Sequence, residues 1–72
     1  MGREEIIEQI QAKYNIMGPV LNERSKRLWA AAEAESYGRG GVAWVSKATG
    51  ISHNTIDKGI REIHEKQNGG VE

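Results

Sequence analysis

Three breaks divide this 72-residue chain: Gly18-Pro19, Gly38-Arg39-Gly40-Gly41 and Gly50-Ile51-Ser52. Glycine frees the backbone to turn and proline removes a helix donor, so each break ends the regular element before it. The stretches between them suit helices of two to four turns, and none shows β-branched alternation of strand length. The expected fold class is therefore all-α, with about four helices. No internal repeat is present.

Residues 3 to 17 place Ile6, Ile7, Ile10, Tyr14 and Met17 on one helical face at 100° per residue. Glu4, Glu5 and Glu8 occupy the first turns, where the helix dipole favours acid. Residues 22 to 36 predict a second helix, with Asn22 as N-cap and Gly38 as the stop beyond Tyr37. Leu21, Ser25, Leu28 and Ala32 fall on one side of it, and Glu23, Arg27, Ala30 and Ala34 on the other. Its alanines favour helix and permit close approach by a neighbour.

Two further helices are predicted, from Val42 to Thr49 and from His53 to about Lys66. Val42, Val45 and Ala48 share a face in the first, and Ile56, Ile60 and Ile63 in the second. Gly50 suits the left-handed residue that ends a helix, and Ser52 suits the N-cap of the next. Residues 1 to 67 form the expected domain, and residues 68 to 72 the expected disordered tail or linker.

A chain this short buries only about 60% of its unfolded surface, which favours one domain without a deep, walled pocket. With no cysteine it has neither disulfides nor a Cys-based metal site, and it is not expected to be an enzyme by itself. No apolar run approaches the roughly 20 residues that span a membrane, and the acidic N-terminus carries no targeting pattern. A cytoplasmic location is expected, with no membrane partner, small-molecule substrate or cofactor.

Ten basic and ten acidic residues give a net charge of zero, but the charge is unevenly placed. Between residues 39 and 61, Arg39, Lys47, Lys58 and Arg61 face only Asp57, a local +3. Arg24, Lys26 and Arg27 against Glu23 form a second, smaller positive cluster.

A short helix, a three-residue turn containing glycine and a second helix make the helix-turn-helix layout, whose second helix enters the DNA major groove. Here Ser46 stands where the helices cross, Gly50 makes the turn, and Ile51 and Ile56 anchor the second helix on the first. Taking His53 as zero, Asp57 lies at about 40°, Arg61 at about 80°, Asn54 at about 100° and Lys58 at about 140°, with Ile56, Gly59 and Ile63 opposite and Ile60 at the margin. Asn can read adenine bidentately, while Lys and Arg read guanine or neutralise phosphate. His53, Asn54 and Lys58 are the candidate base contacts. Arg39, Lys47, Ser52, Thr55 and Arg61 are the candidate DNA-backbone contacts. Asp57 can accept from cytosine or pair with Arg61 one turn on.

Other patterns carry less. His53 and His64 stand three turns apart, too far to share a metal ion. Gly38-Arg39-Gly40-Gly41 lacks the Gly-Lys-Ser/Thr ending of a phosphate loop and follows no strand. Glu4, Glu5 and Glu8 have no neighbour that would raise a carboxylate pKa for catalysis. Trp29 and Trp44 lie at the margins of their apolar faces, which suits packing at the core rim or docking on a partner.

Leu21 through Ala34, with its Glu-Arg-x-x-Arg-Leu-Trp-Ala-Ala stretch, then Gly40-Gly41-Val42, Ala48-Thr49-Gly50-Ile51-Ser52, Thr55-Ile56 and Gly59-Ile60-Arg61-Glu62-Ile63 carry a resemblance. Together they resemble the N-terminal region of bacterial insertion-sequence transposases that have a Rhodopirellula-type DDE catalytic domain. The resemblance implies a module that recognises mobile-element ends and positions a catalytic domain whose three acids bind two divalent ions for phosphoryl transfer. Those acids belong to a separate, larger domain, so binding carries over and catalysis does not. Trp44 stands where a smaller residue is expected, the net charge is low for a DNA-binding domain, and residues 1 to 17 lie outside the resemblance.

The expected architecture is a three-helix helix-turn-helix unit of residues 21 to 37, 42 to 49 and 53 to 66, with residues 3 to 17 packed on it as an additional helix. Sequence-specific binding of double-stranded DNA, as part of a transposase, is the expected function. A transposase catalytic domain or a second copy of the chain is the further expected partner. A stand-alone transcription regulator would use the same surface. A protein-interaction module would instead use Trp44 or the Ile/Met face of residues 6 to 17.

Overall fold

The computed structural model describes residues 2 to 69 and is all-α. Four helices follow in order: α1 (Arg3–Met17), α2 (Glu23–Tyr37), α3 (Gly41–Thr49) and α4 (His53–Gly69), with a 3-10 turn at Gly18–Val20. The breaks fall where the glycines and the proline predict them. Two ends differ. α3 starts one residue early, at Gly41, and α4 runs on to Gly69, so Asn68 and Gly69, expected in a tail, are helical. Residues 70 to 72 of that expected tail lie outside the described residues.

Local chemistry explains the starts and stops. At the head of α2, Ser25 N donates to Asn22 Oδ1 and Asn22 N donates to Ser25 Oγ, both at 2.8 Å, satisfying two donors reciprocally. Pro19 lies within the 3-10 turn between α1 and α2, where its missing N–H breaks no α-helical bond.

Packing centres on α2, which lies against both α3 and α4, while α1 lies along α3. The core draws Ile10 from α1, Ala30, Ala31 and Ala34 from α2, Val45 and Ala48 from α3, and Ile56 from α4. Ile10, Val45 and Ile56 are fully buried, each contributing about 1.5–3 kcal/mol of transfer free energy. The side of α2 turned inward is thus that of Arg27, Ala30 and Ala34, and Ala32 is exposed.

Small residues allow this. A Cβ built on Gly41 would lie 2.1 Å from the Ala34 carbonyl oxygen, and one on Gly59 would lie 2.7 Å from the Arg27 carbonyl oxygen and 2.9 Å from Ala31 Cβ. α2 therefore touches α3 and α4 with its main chain. Longer side chains close the margins: Arg27 pairs with Glu62 of α4, and Glu35 pairs with His64.

α1 reaches the rest through Ile6, Ile7 and Ile10, with Tyr14 against Trp29 at a ring-centroid distance of 5.6 Å. Lys13 Nζ donates to Glu33 Oε1 at 2.7 Å, and that bond raises the ammonium pKa above its ordinary value. Fifteen residues of α1 extend about 22 Å, whereas the nine of α3 extend about 13 Å. Met17, expected on the packed face, is exposed, as are Ile16 and Val20 at 75% each.

Candidate nucleic-acid interface

α3, the turn at residues 50 to 52 and α4 adopt the layout expected of a helix-turn-helix. Gly50 has φ 82° and ψ 0°, a left-handed conformation that costs other residues roughly 1–2 kcal/mol, and its N–H donates to Ser46 O at 2.8 Å. Thr49 braces the exit from α3: its hydroxyl donates to Val45 O at 2.7 Å and accepts from Ile51 N at 3.1 Å. Ser52 caps α4, its Oγ accepting from Thr55 N at 3.2 Å and donating to Thr55 Oγ1 at 2.9 Å.

Beyond that cap, Ile56 and Gly59 are buried and Ile60 and Ile63 half-buried, which turns the opposite face of α4 outward. His53, Asn54, Asp57, Lys58 and Arg61 are all exposed along that face. Asn54, Asp57 and Arg61, with Ile60, line one shallow groove, and Lys58, Arg61 and His64 line another with Glu62 and Glu65. Asp57 and Arg61, one turn apart, form no ion pair.

The candidate backbone contacts divide into two sets. Ser52 and Thr55 stand at the start of α4, joined by their hydroxyls, and exposed Lys47 lies in the last turn of α3 beside the turn. Arg39, although exposed, lies in the loop before α3, at the far end of that helix from the turn. The structure therefore gathers seven of the eight candidates on α4 and its approach and leaves Arg39 apart.

The fold also brings in residues from α2 that spacing along the chain does not reveal. Lys26 lines a groove with Tyr14, Ile51, Ser52 and Thr55, together with Glu23 and Arg27. Further along α4, Arg27 and Arg24 approach Glu62 at 2.6 and 3.9 Å. The hydrogen bond from Arg27, assisted by the charges of Arg27, Arg24 and Lys58, holds the Glu62 carboxyl below the usual carboxylate range. The second positive cluster is thus placed along one flank of α4. The signal was present in Arg24-Lys26-Arg27, but only the crossing of α2 over α4 connects it to the turn.

Both tryptophans sit half-buried against the core, Trp29 on Tyr14 and Trp44 edge-on to Tyr37 at 6.1 Å. Packing at the core rim is what they do. Most of the apolar face of residues 6 to 17 is likewise turned inward, which leaves Ile16, Met17 and Val20 as the exposed large hydrophobics among the described residues. Among the described residues, no helix is long and apolar enough to cross a membrane.

Comparison with known protein families, with characterised proteins and with solved structures finds no match to this chain.

Proposed function

We propose that the protein binds double-stranded DNA in a sequence-specific manner, with α4 in the major groove, and that it serves as the end-recognition module of a transposase. The observation that carries the DNA-binding reading is the outward face of α4: His53, Asn54, Lys58 and Arg61 are exposed together on a helix held at its start by Gly50 and Ser52. Its base-reading group is His53, Asn54 and Lys58. Its phosphate group is Lys47, Ser52, Thr55 and Arg61. The transposase assignment rests on the resemblance of residues 21 to 63 alone, and a transcription regulator would present the same surface.

Titration of labelled protein with a mixed-sequence duplex, followed by backbone amide NMR at low and moderate salt, tests this. Joint shifts from His53 to Arg61 and at Lys47, collapsing as salt is added, are expected. Only the two cations of that phosphate group, Lys47 and Arg61, release counterions, so log K should fall against log salt with a slope of roughly −1.8. Amides that stay in place at low salt would remove the DNA reading. Inverted repeats flanking the gene would separate a transposase from a regulator.

A second reading has one observation in its favour. Ile16 and Met17 at the end of α1 and Val20 in the turn after it are exposed large hydrophobics, suited to a protein partner. Concentration-dependent self-association without any DNA response would favour it.

A further inference from the structure

We infer that Lys26 of α2 is a DNA-backbone contact, so that the footprint of a bound duplex continues from the start of α4 onto the first turns of α2. The inference rests on the DNA-binding reading above and extends it to a helix that the helix-turn-helix pattern does not include.

The three cations of α2 have different surroundings. Arg27 is occupied by Glu62 through two bonds, and Arg24 faces the same carboxylate from 3.9 Å. Lys26 lies about 100° around the helix from Arg27, and the two line one groove beside the turn. There it meets the start of α4, not its middle. Among the described residues its ammonium makes no ion pair and no hydrogen bond.

Lys26 is nevertheless held in place. It is half-buried, lining one groove with Tyr14, Ser52 and Thr55 and an adjoining one with Tyr14, Asn15, Gly18 and Pro19. A stem packed against those residues loses less freedom on binding than a fully exposed lysine does. The same groove carries two hydroxyl donors. Ser52 spends its own proton on Thr55, which leaves the Thr55 hydroxyl and the Tyr14 phenol, both on residues that line the groove, with protons to donate. One ammonium and two hydroxyls match the acceptor-only oxygens of a phosphodiester.

Glu23 also lines the groove, and its carboxylate opposes a free anion there. A phosphate carried by a duplex is different, because contacts along α4 already hold it in position and raise its effective concentration. That favours a DNA backbone over a small anion as occupant.

The test uses fluorescence anisotropy of a labelled mixed-sequence duplex between 50 and 200 mM salt, with wild type, Lys26→Gln and Lys26→Arg. Lys26→Gln should weaken binding roughly 2- to 5-fold on every sequence and make the salt slope shallower by about 0.9, while Lys26→Arg keeps both. A second readout needs no substitution: the Lys26 side-chain resonances of the wild-type protein should move when duplex is added. If wild type binds while Lys26→Gln binds equally well with the same slope and the Lys26 resonances stay still, the inference falls and the DNA reading stands. If wild type binds no duplex at low salt, both fall together.

Discussion

Arg27 and Glu62 hold each other across the crossing of α2 and α4, with Nε 2.6 Å from one carboxylate oxygen and Nη2 3.3 Å from the other. Their side chains keep 20% and 26% of their exposure, so the pair supplies orientation more than energy. It fixes how α2 lies over the flank of α4 that carries Lys58.

Acid should loosen this pair. The folded Glu62 carboxyl titrates below its ordinary value of about 4.5, chiefly because Arg27 donates to it. A group with a depressed folded pKa contributes stability that is complete above the unfolded value and is lost as pH falls through the folded one. Thermal unfolding followed from pH 7 to pH 3 should therefore show a loss below about pH 4.5 that is smaller in Glu62→Gln than in wild type. Equal acid sensitivity in the two proteins would show that the pair contributes nothing on the acid side.

Alanine at Gly41 and at Gly50 should fail for different reasons. At Gly41 the new Cβ would sit 2.1 Å from the Ala34 carbonyl oxygen, so α2 and α3 must separate, at a cost of about 1–3 kcal/mol or more. At Gly50 no atom lies within 4 Å, and only the positive φ resists, costing roughly 1–2 kcal/mol. Asparagine tolerates that φ, so Gly50→Asn should recover much of the loss, whereas Gly41→Ser should recover none. Melting temperatures by circular dichroism decide this, at about 4–8 °C per kcal/mol for a domain of this size.

Ile10→Ala tests whether α1 belongs to the cooperative unit. Ile10 is fully buried and joins the same core as Val45 and Ile56, so its truncation should cost about 2–5 kcal/mol. Small domains hold roughly 5 kcal/mol in total, so the urea midpoint should fall steeply or the fold be lost. An unchanged midpoint would mean that α1 is dispensable to the core.

On the proposed DNA-binding reading, Asn54→Ala and Lys47→Ala should separate specificity from affinity. Asn54→Ala should remove about 1–3 kcal/mol of discrimination between preferred and altered sites. Lys47→Ala should weaken every duplex alike and reduce the salt slope by about 0.9. Affinities for a selected site and for scrambled duplexes measure both, and a uniform loss from Asn54→Ala would remove it from the base-reading group.

Much of the fold was legible because glycine and proline act locally. The end of α1 at Met17, the cap at Asn22, the left-handed Gly50 and the Ser52 cap each follow from one or two residues. The sidedness of α2 was not, since Ala30, Ala31, Ala32 and Ala34 offer no contrast in polarity and only packing tells the exposed Ala32 from the others. Met17 was misplaced because periodicity reports an angle around α1 and not where along the helix the packing ends, and Met17 is its last residue. In the candidate site, the outward face of α4 follows from angles alone. Lys26 and the convergence on Glu62 do not, because they depend on how α2 crosses α4.

Gly41 of α3 and Gly59 of α4 lie against main-chain atoms of α2, with no side chain of their own between the helices. Side-chain contacts can repack by changing rotamer, but main-chain contacts between helices have no such freedom. α3 and α4 are therefore set at one angle by a rigid spacer, and the surface that the turn presents is formed before any partner arrives. Binding there would spend little free energy on ordering the protein, and a slackened spacer would weaken it without altering any residue that touches the partner.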